Sequence, residues 1–184
     1  MNTVLLHQIK NGTAHRKSRD ASRDFVISYP ETLADVVFFA FDVNDKDSHK
    51  ACWILELVAY ERLEWFVPHL DFISASISKL TDESSIRPLA KICQLLAEAH
   101  YKKSTTTITL SATQLENITE ACFDWLINNT KVAAKAYAMR TLLILGKHSE
   151  WIYPELRIIL EKDYQQHSAG YKAAARDVLK QIAR

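Results

Sequence analysis

Lys131 to Gly146 reads KVAAKAYAMRTLLILG, and much of the chain repeats its plan. Ala133, Ala134, Ala136 and Ala138 fall on the opening turns, where small side chains let one helix approach another closely. Leu142, Leu143 and Ile144 follow and fill the space between helices. Gly146 closes the run, as expected of a residue that tolerates positive φ just past a helix C-terminus. Three further stretches share the plan: SHKACWIL from Ser48, SIRPLAKI from Ser85 and AGYKAAAR from Ala169. Each opens on a small or polar residue and reaches a basic residue or alanine within three places, then alanine or tryptophan. Internal repetition therefore governs the reading of the fold.

Composition agrees. With 3 glycines and 4 prolines in 184 residues, tight hairpin turns are scarce, and helix formers dominate. The expected fold class is all-α, in a single domain over residues 1–184, since no linker composition divides the chain. The formal net charge of +1 gives the whole molecule no steering toward polyanions. Cys52, Cys93 and Cys122 lie in apolar surroundings without CxxC spacing and read as buried thiols of a cytoplasmic protein. The apolar patch near the N-terminus is broken at His7, and no window approaches the roughly 18 apolar residues of a membrane span. Neither a secretory leader nor a membrane partner is expected.

The chain then divides into helices. Residues 1–29 hold a short helical patch, a break at Asn11-Gly12 and a second helix over about 14–28, read together as an N-terminal cap. Pro30 opens a helix in its tolerated first-turn position. A turn over 45–48, with Asp47 or Ser48 as N-cap, leads to a helix over 50–62. Next comes WFVPHLDFI from Trp65, which matches WIYPELRII from Trp151 at Trp, Pro, Leu and the final Ile, 86 residues on. That offset is two periods of about 43, the length of a two-helix repeat. The partner helix over 84–102 contains Pro88, expected within its first turn. Residues 103–110, KSTTTITL, are β-prone without a partner strand and read as an extended loop. Leu115, Ile118, Ala121, Cys122, Trp125 and Leu126 form a helical stripe in the next segment. The boundaries are four hairpins at about 30–62, 65–102, 111–147 and 151–184.

This arrangement resembles the HEAT repeat, in which an apolar helix and a turn are followed by a second helix opening [Val/Ile]-Arg-x-x-Ala. Ile86-Arg87-x-x-Ala90 matches that opening in full. Tyr171-Lys172-x-x-Ala175 has Lys for Arg, His49-Lys50-x-x-Trp53 has Trp for Ala, and Val132-Ala133-x-x-Ala136 lacks the basic residue, with Lys135 nearby. The resemblance covers about residues 30–184 and implies a short α-solenoid of armadillo type, with second helices along a concave partner-binding face. It brings no catalytic residues.

Enzyme signatures are sparse. There is no HxxxH or HExxH pair, GxGxxG, P-loop or GxSxG, and no metal or small-molecule cofactor is expected. Glu61 and Glu64 read as a solvated helix face, not an acid–base dyad. Charge is the more informative signal, because Lys and Arg concentrate on the second helices and Asp and Glu on the first. Part of this is structural, since Lys102, Lys103, Lys147 and Arg184 fall at helix C-termini, where cations favour the macrodipole. Arg87 and Lys50 could also pair with turn aspartates. The expected function is a non-enzymatic scaffold that engages an acidic protein segment through Lys50, Arg87, Lys91, Lys135, Lys172 and Arg176. On one helix Lys172, Arg176 and Lys180 share a face at i, i+4 and i+8. The alternative is a nucleic-acid-binding protein similar to the HEAT-like DNA alkylation-repair glycosylases, for which Trp53, Trp65, Trp125 and Trp151 are available aromatics. The bland reading of those tryptophans is core packing, with Trp65 and Trp151 buried against their own hairpins.

Overall fold

Helices account for the ordered backbone in a computed structural model that describes residues 2–101, 108–162 and 164–183, and no strand occurs among these residues. The elements are α1 (Thr3–Asn11), α2 (Arg16–Ser28), α3 (Leu33–Ala40), α4 (Ser48–Arg62), α5 (Leu70–Ser76), α6 (Glu83–Tyr101), α7 (Ala112–Ile127), α8 (Val132–Leu145), α9 (Ile152–Glu161) and α10 (Ala169–Ile182). Short 3₁₀ segments precede α3 (Pro30–Thr32) and α5 (Leu63–His69) and follow α5 (Ile77–Lys79) and α9 (Tyr164–Gln166). Lys102, Lys103 and Arg184 lie outside the described residues, as does most of the β-prone stretch. Its described end is neither helix nor strand, and Ile108 and Leu110 are buried. Among the described residues, no helix is long and apolar enough to cross a membrane.

The chain forms two compact units, Met1–Ile92 and Cys93–Arg184, with the boundary inside α6. In the first unit α4 is central and packs against α1, α2, α3 and the 3₁₀ segment Leu63–His69. Its run Ile54–Ala59 is buried all round, so it has no solvent face there. In the second unit α8 has the same place, against α7, α9 and α10. Ala134, Ala138, Met139 and Leu142 are fully buried, as the alanine-then-leucine order requires of a helix closely approached on several sides. Cys52, Cys93 and Cys122 are free and buried, and desolvation pushes the Cys52 and Cys93 thiols up to about 12.

Three local expectations are corrected. Gly146 adopts φ −63° and ψ −18°, ordinary right-handed backbone. The site needs glycine for space, because a β-carbon there would collide with the Tyr153 ring. That ring is held in place by Tyr153 Oη donating to Leu143 O at 3.1 Å.

The second correction concerns Pro88. Because α6 begins at Glu83, Pro88 sits in the second turn, where its missing N–H leaves the Ser84 carbonyl without its i+4 donor. Trp53 on α4 takes that place, its indole Nε1 donating to Ser84 O at 3.1 Å. Trp53 thus supplies the donor that Pro88 lacks. Trp53→Phe should cost about 1 kcal/mol, one net hydrogen bond, in urea melts. In a Pro88→Ala background the loss should shrink, because the new amide can donate to Ser84 O. Equal losses in both backgrounds would refute the link.

The third correction concerns Trp65 and Trp151, which are not the buried anchors. Trp151 is 57% exposed and Trp65 half-buried, while the next residues, Phe66 and Ile152, are 0% and 1% exposed. The 86-residue match holds in burial only in part, since Ile73 is buried while its counterpart Ile159 is half-buried. Phe66 and Ile152, Leu70 and Leu156, and Ser74 and Leu160 all face inward, while Pro68 and Pro154, Asp71 and Arg157, and Phe72 and Ile158 face outward.

Candidate functional site

The six basic residues occupy unlike environments. Lys50 Nζ lies 2.9 Å from Asp47 Oδ1 and donates to Lys10 O, in the last turn of α1, at 2.7 Å. Its ammonium holds the Asp47 carboxyl below its usual range. Arg87 forms a two-pronged bond with Glu56, Nη1 to Oε1 at 3.0 Å and Nη2 to Oε2 at 2.6 Å. Glu56 is buried in the middle of α4, so its carboxylate requires this partner. Lys91 Nζ stands 5.7 Å from the centre of the Tyr60 ring.

Lys135 departs furthest from the expectation of a ligand-facing side chain. It is buried, and Nζ donates to Leu126 O at 2.8 Å. There it meets the C-terminal carbonyls of α7, where Thr130 Oγ1 also donates to Trp125 O. Burial removes Lys135 from any open surface. Lys172 is half-exposed and donates to Gln165 O at 2.8 Å. Lys50, Lys135 and Lys172 therefore share a role, since each ammonium satisfies a backbone carbonyl, and for Lys50 and Lys135 that carbonyl lies in the last turn of an α-helix, where the dipole favours a cation. Arg176 is exposed and makes no ion pair among the described residues, and the same holds for Lys180 one turn on. Between them, the Asp177 carboxylate accepts from Gln181 Nε2 at 3.2 Å.

An opening elsewhere in the second unit is a cleft of about 550 Å³ against α7. Ser111 starts that helix with a reciprocal cap, its hydroxyl accepting from the Gln114 amide while the Gln114 side chain accepts from the Ser111 amide. The register so set turns Ile118, Ala121, Cys122 and Trp125 into the core. Glu116, Glu120 and Asp124 then fall at i, i+4 and i+8 along the cleft wall. Glu116 and Glu120 are exposed, Asp124 is half-exposed, and none of the three is in an ion pair among the described residues.

Two ring pairs complete the walls. Tyr101 and His148 stack flat, with centroids 3.7 Å apart and planes 2° from parallel. Trp151 stacks on Phe123 at 5.7 Å and 26°. Burial pushes the Tyr101 phenol up, so it stays a neutral ring at ordinary pH. Carboxylates and aromatic ring faces are groups that attract cations. The four-residue spacing of the three carboxylates is legible in the sequence; the rings that join them come from three separate segments and are not. Among the described residues, no three His, Cys, Asp or Glu side chains group as metal ligands. No family model, curated protein or solved structure matches the chain.

Proposed function

We propose that the chain is a non-enzymatic binding scaffold of HEAT-like hairpins arranged as a short α-solenoid, and that α10 presents its basic face to an acidic protein segment. The hairpin reading is supported by α7 and α8, joined by four residues and packed together, and by the shared burial of Phe66 with Ile152 and of Leu70 with Leu156. The observation that carries the partner reading is the pair Arg176 and Lys180, one turn apart, exposed and outside any ion pair among the described residues. Each such contact is worth only about 0–1 kcal/mol, so a partner must engage several together.

The test is fluorescence anisotropy with a labelled oligoglutamate peptide, on the wild type and on Arg176→Glu/Lys180→Glu. Binding should be lost in the variant while its thermal melt stays in place. Arg87 must be left intact in such a variant, since it neutralises buried Glu56. A labelled DNA duplex in a salt series tests the nucleic-acid reading. Binding to it that falls linearly in log[salt], through counterion release, would put phosphates in place of carboxylates.

A further inference from the structure

We propose that the cleft along α7 is a second docking site, of opposite sign, for an extended peptide segment that carries arginine at alternate positions. It is distinct from the basic face of α10 and does not depend on it. The carboxylates set the charge of the occupant. Glu116, Glu120 and Asp124 line one wall with no cation of their own among the described residues.

The rings narrow the choice of cation. Trp151 is 57% exposed, and its stack on Phe123 lies within the same cleft. A large aromatic left this open in a concave, acidic setting presents a ring face to a cation. Arginine suits it better than lysine, because the planar guanidinium stacks on a ring while its N–H groups reach a carboxylate.

Spacing narrows the conformation. Residues four apart on a helix are separated by about 6 Å along the axis. In an extended segment, side chains on one face recur about every 6.6–6.8 Å. Three basic residues at alternate positions therefore keep step with the three carboxylates. The same three in a contiguous run point to both faces and cannot all reach the wall.

The experiment uses the full chain and two labelled heptapeptides of equal charge, Ser-Arg-Ser-Arg-Ser-Arg-Ser and Arg-Arg-Arg-Ser-Ser-Ser-Ser. Anisotropy should show the alternating peptide binding more tightly. The triple substitution Glu116→Gln/Glu120→Gln/Asp124→Asn should weaken it by roughly tenfold or more, three exposed charge contacts being removed together. Trp151→Ala should weaken it by roughly threefold, and Arg176→Glu/Lys180→Glu should leave it unchanged. Independently of the variants, binding should change wild-type tryptophan emission, and that change should vanish in Trp151→Phe. Equal affinity for the two peptides, wild-type affinity in the triple variant or an emission change that persists in Trp151→Phe would each overturn the site. So would a dimer in sedimentation that both the α7 and the α10 variants dissolve, since the cleft would then hold a second copy's α10. Failure of the oligoglutamate peptide to bind would count against the α10 face alone.

Discussion

Replacing Phe66 by alanine should destabilise the protein by about 3–5 kcal/mol, the usual cost of emptying a fully buried aromatic site. Phe66 is 0% exposed and belongs to the 3₁₀ segment Leu63–His69, which packs on the central helix α4. Trp65→Ala should cost less, about 1–2 kcal/mol: its ring is half-buried, with the Arg62 guanidinium 5.8 Å from its centre. Trp151→Ala should stay within about 1 kcal/mol, its main ring contact being the Phe123 stack. Denaturant melts of the three variants settle the order. A Trp65 loss equal to the Phe66 loss would return the anchor to the tryptophan.

Arg87→Ala should cost about 3 kcal/mol, the low end for breaking a buried ion pair. The low end applies because the Arg87 side chain is 32% exposed, so water can enter beside Glu56, whose own side chain is 6% exposed. The loss arises mainly from stranding a carboxylate inside the first unit. Glu56→Leu/Arg87→Met should therefore be much closer to wild type than Arg87→Ala, since apolar groups of similar size remove both the charge and its need for a partner. Urea melts of the single and double variants measure the difference. If the double variant is as unstable as the single one, the pair contributes through packing and not through neutralisation.

The Arg87–Glu56 pair marks the limit of what a repeat pattern can say. The motif reading took Arg87 as a candidate ligand contact because a basic residue recurs at that register. Glu56 lies 31 places earlier in the chain, and nothing local marks it as a buried charge. In α4 it reads as one polar position among apolar ones, which describes a solvated face equally well. Only the packing of other elements around α4 removes that face from water. Lys135 follows the same logic on α8, where the deciding partner, the Leu126 carbonyl, is a backbone atom that no side-chain motif can reveal.

The helices themselves were legible from local chemistry. Alanine-rich openings and apolar stripes of period near 3.6 act over one or two turns, so they can be read from neighbours in the chain. The 86-residue match between Trp65 and Trp151 shares burial at Phe66 and Ile152 and at Leu70 and Leu156, but not at Ile73 and Ile159, and the buried ring lies one residue past the tryptophan. Tertiary structure alone decided which charges are engaged and which remain open. Burial depends on every element packed against a residue, and cations such as Lys50, Lys135 and Lys172 meet carbonyls 40, 9 and 7 residues away. For the same reason the cleft of the second unit, which joins an acidic stripe on α7 to rings from Tyr101, His148 and Trp151, exists only once the chain has folded.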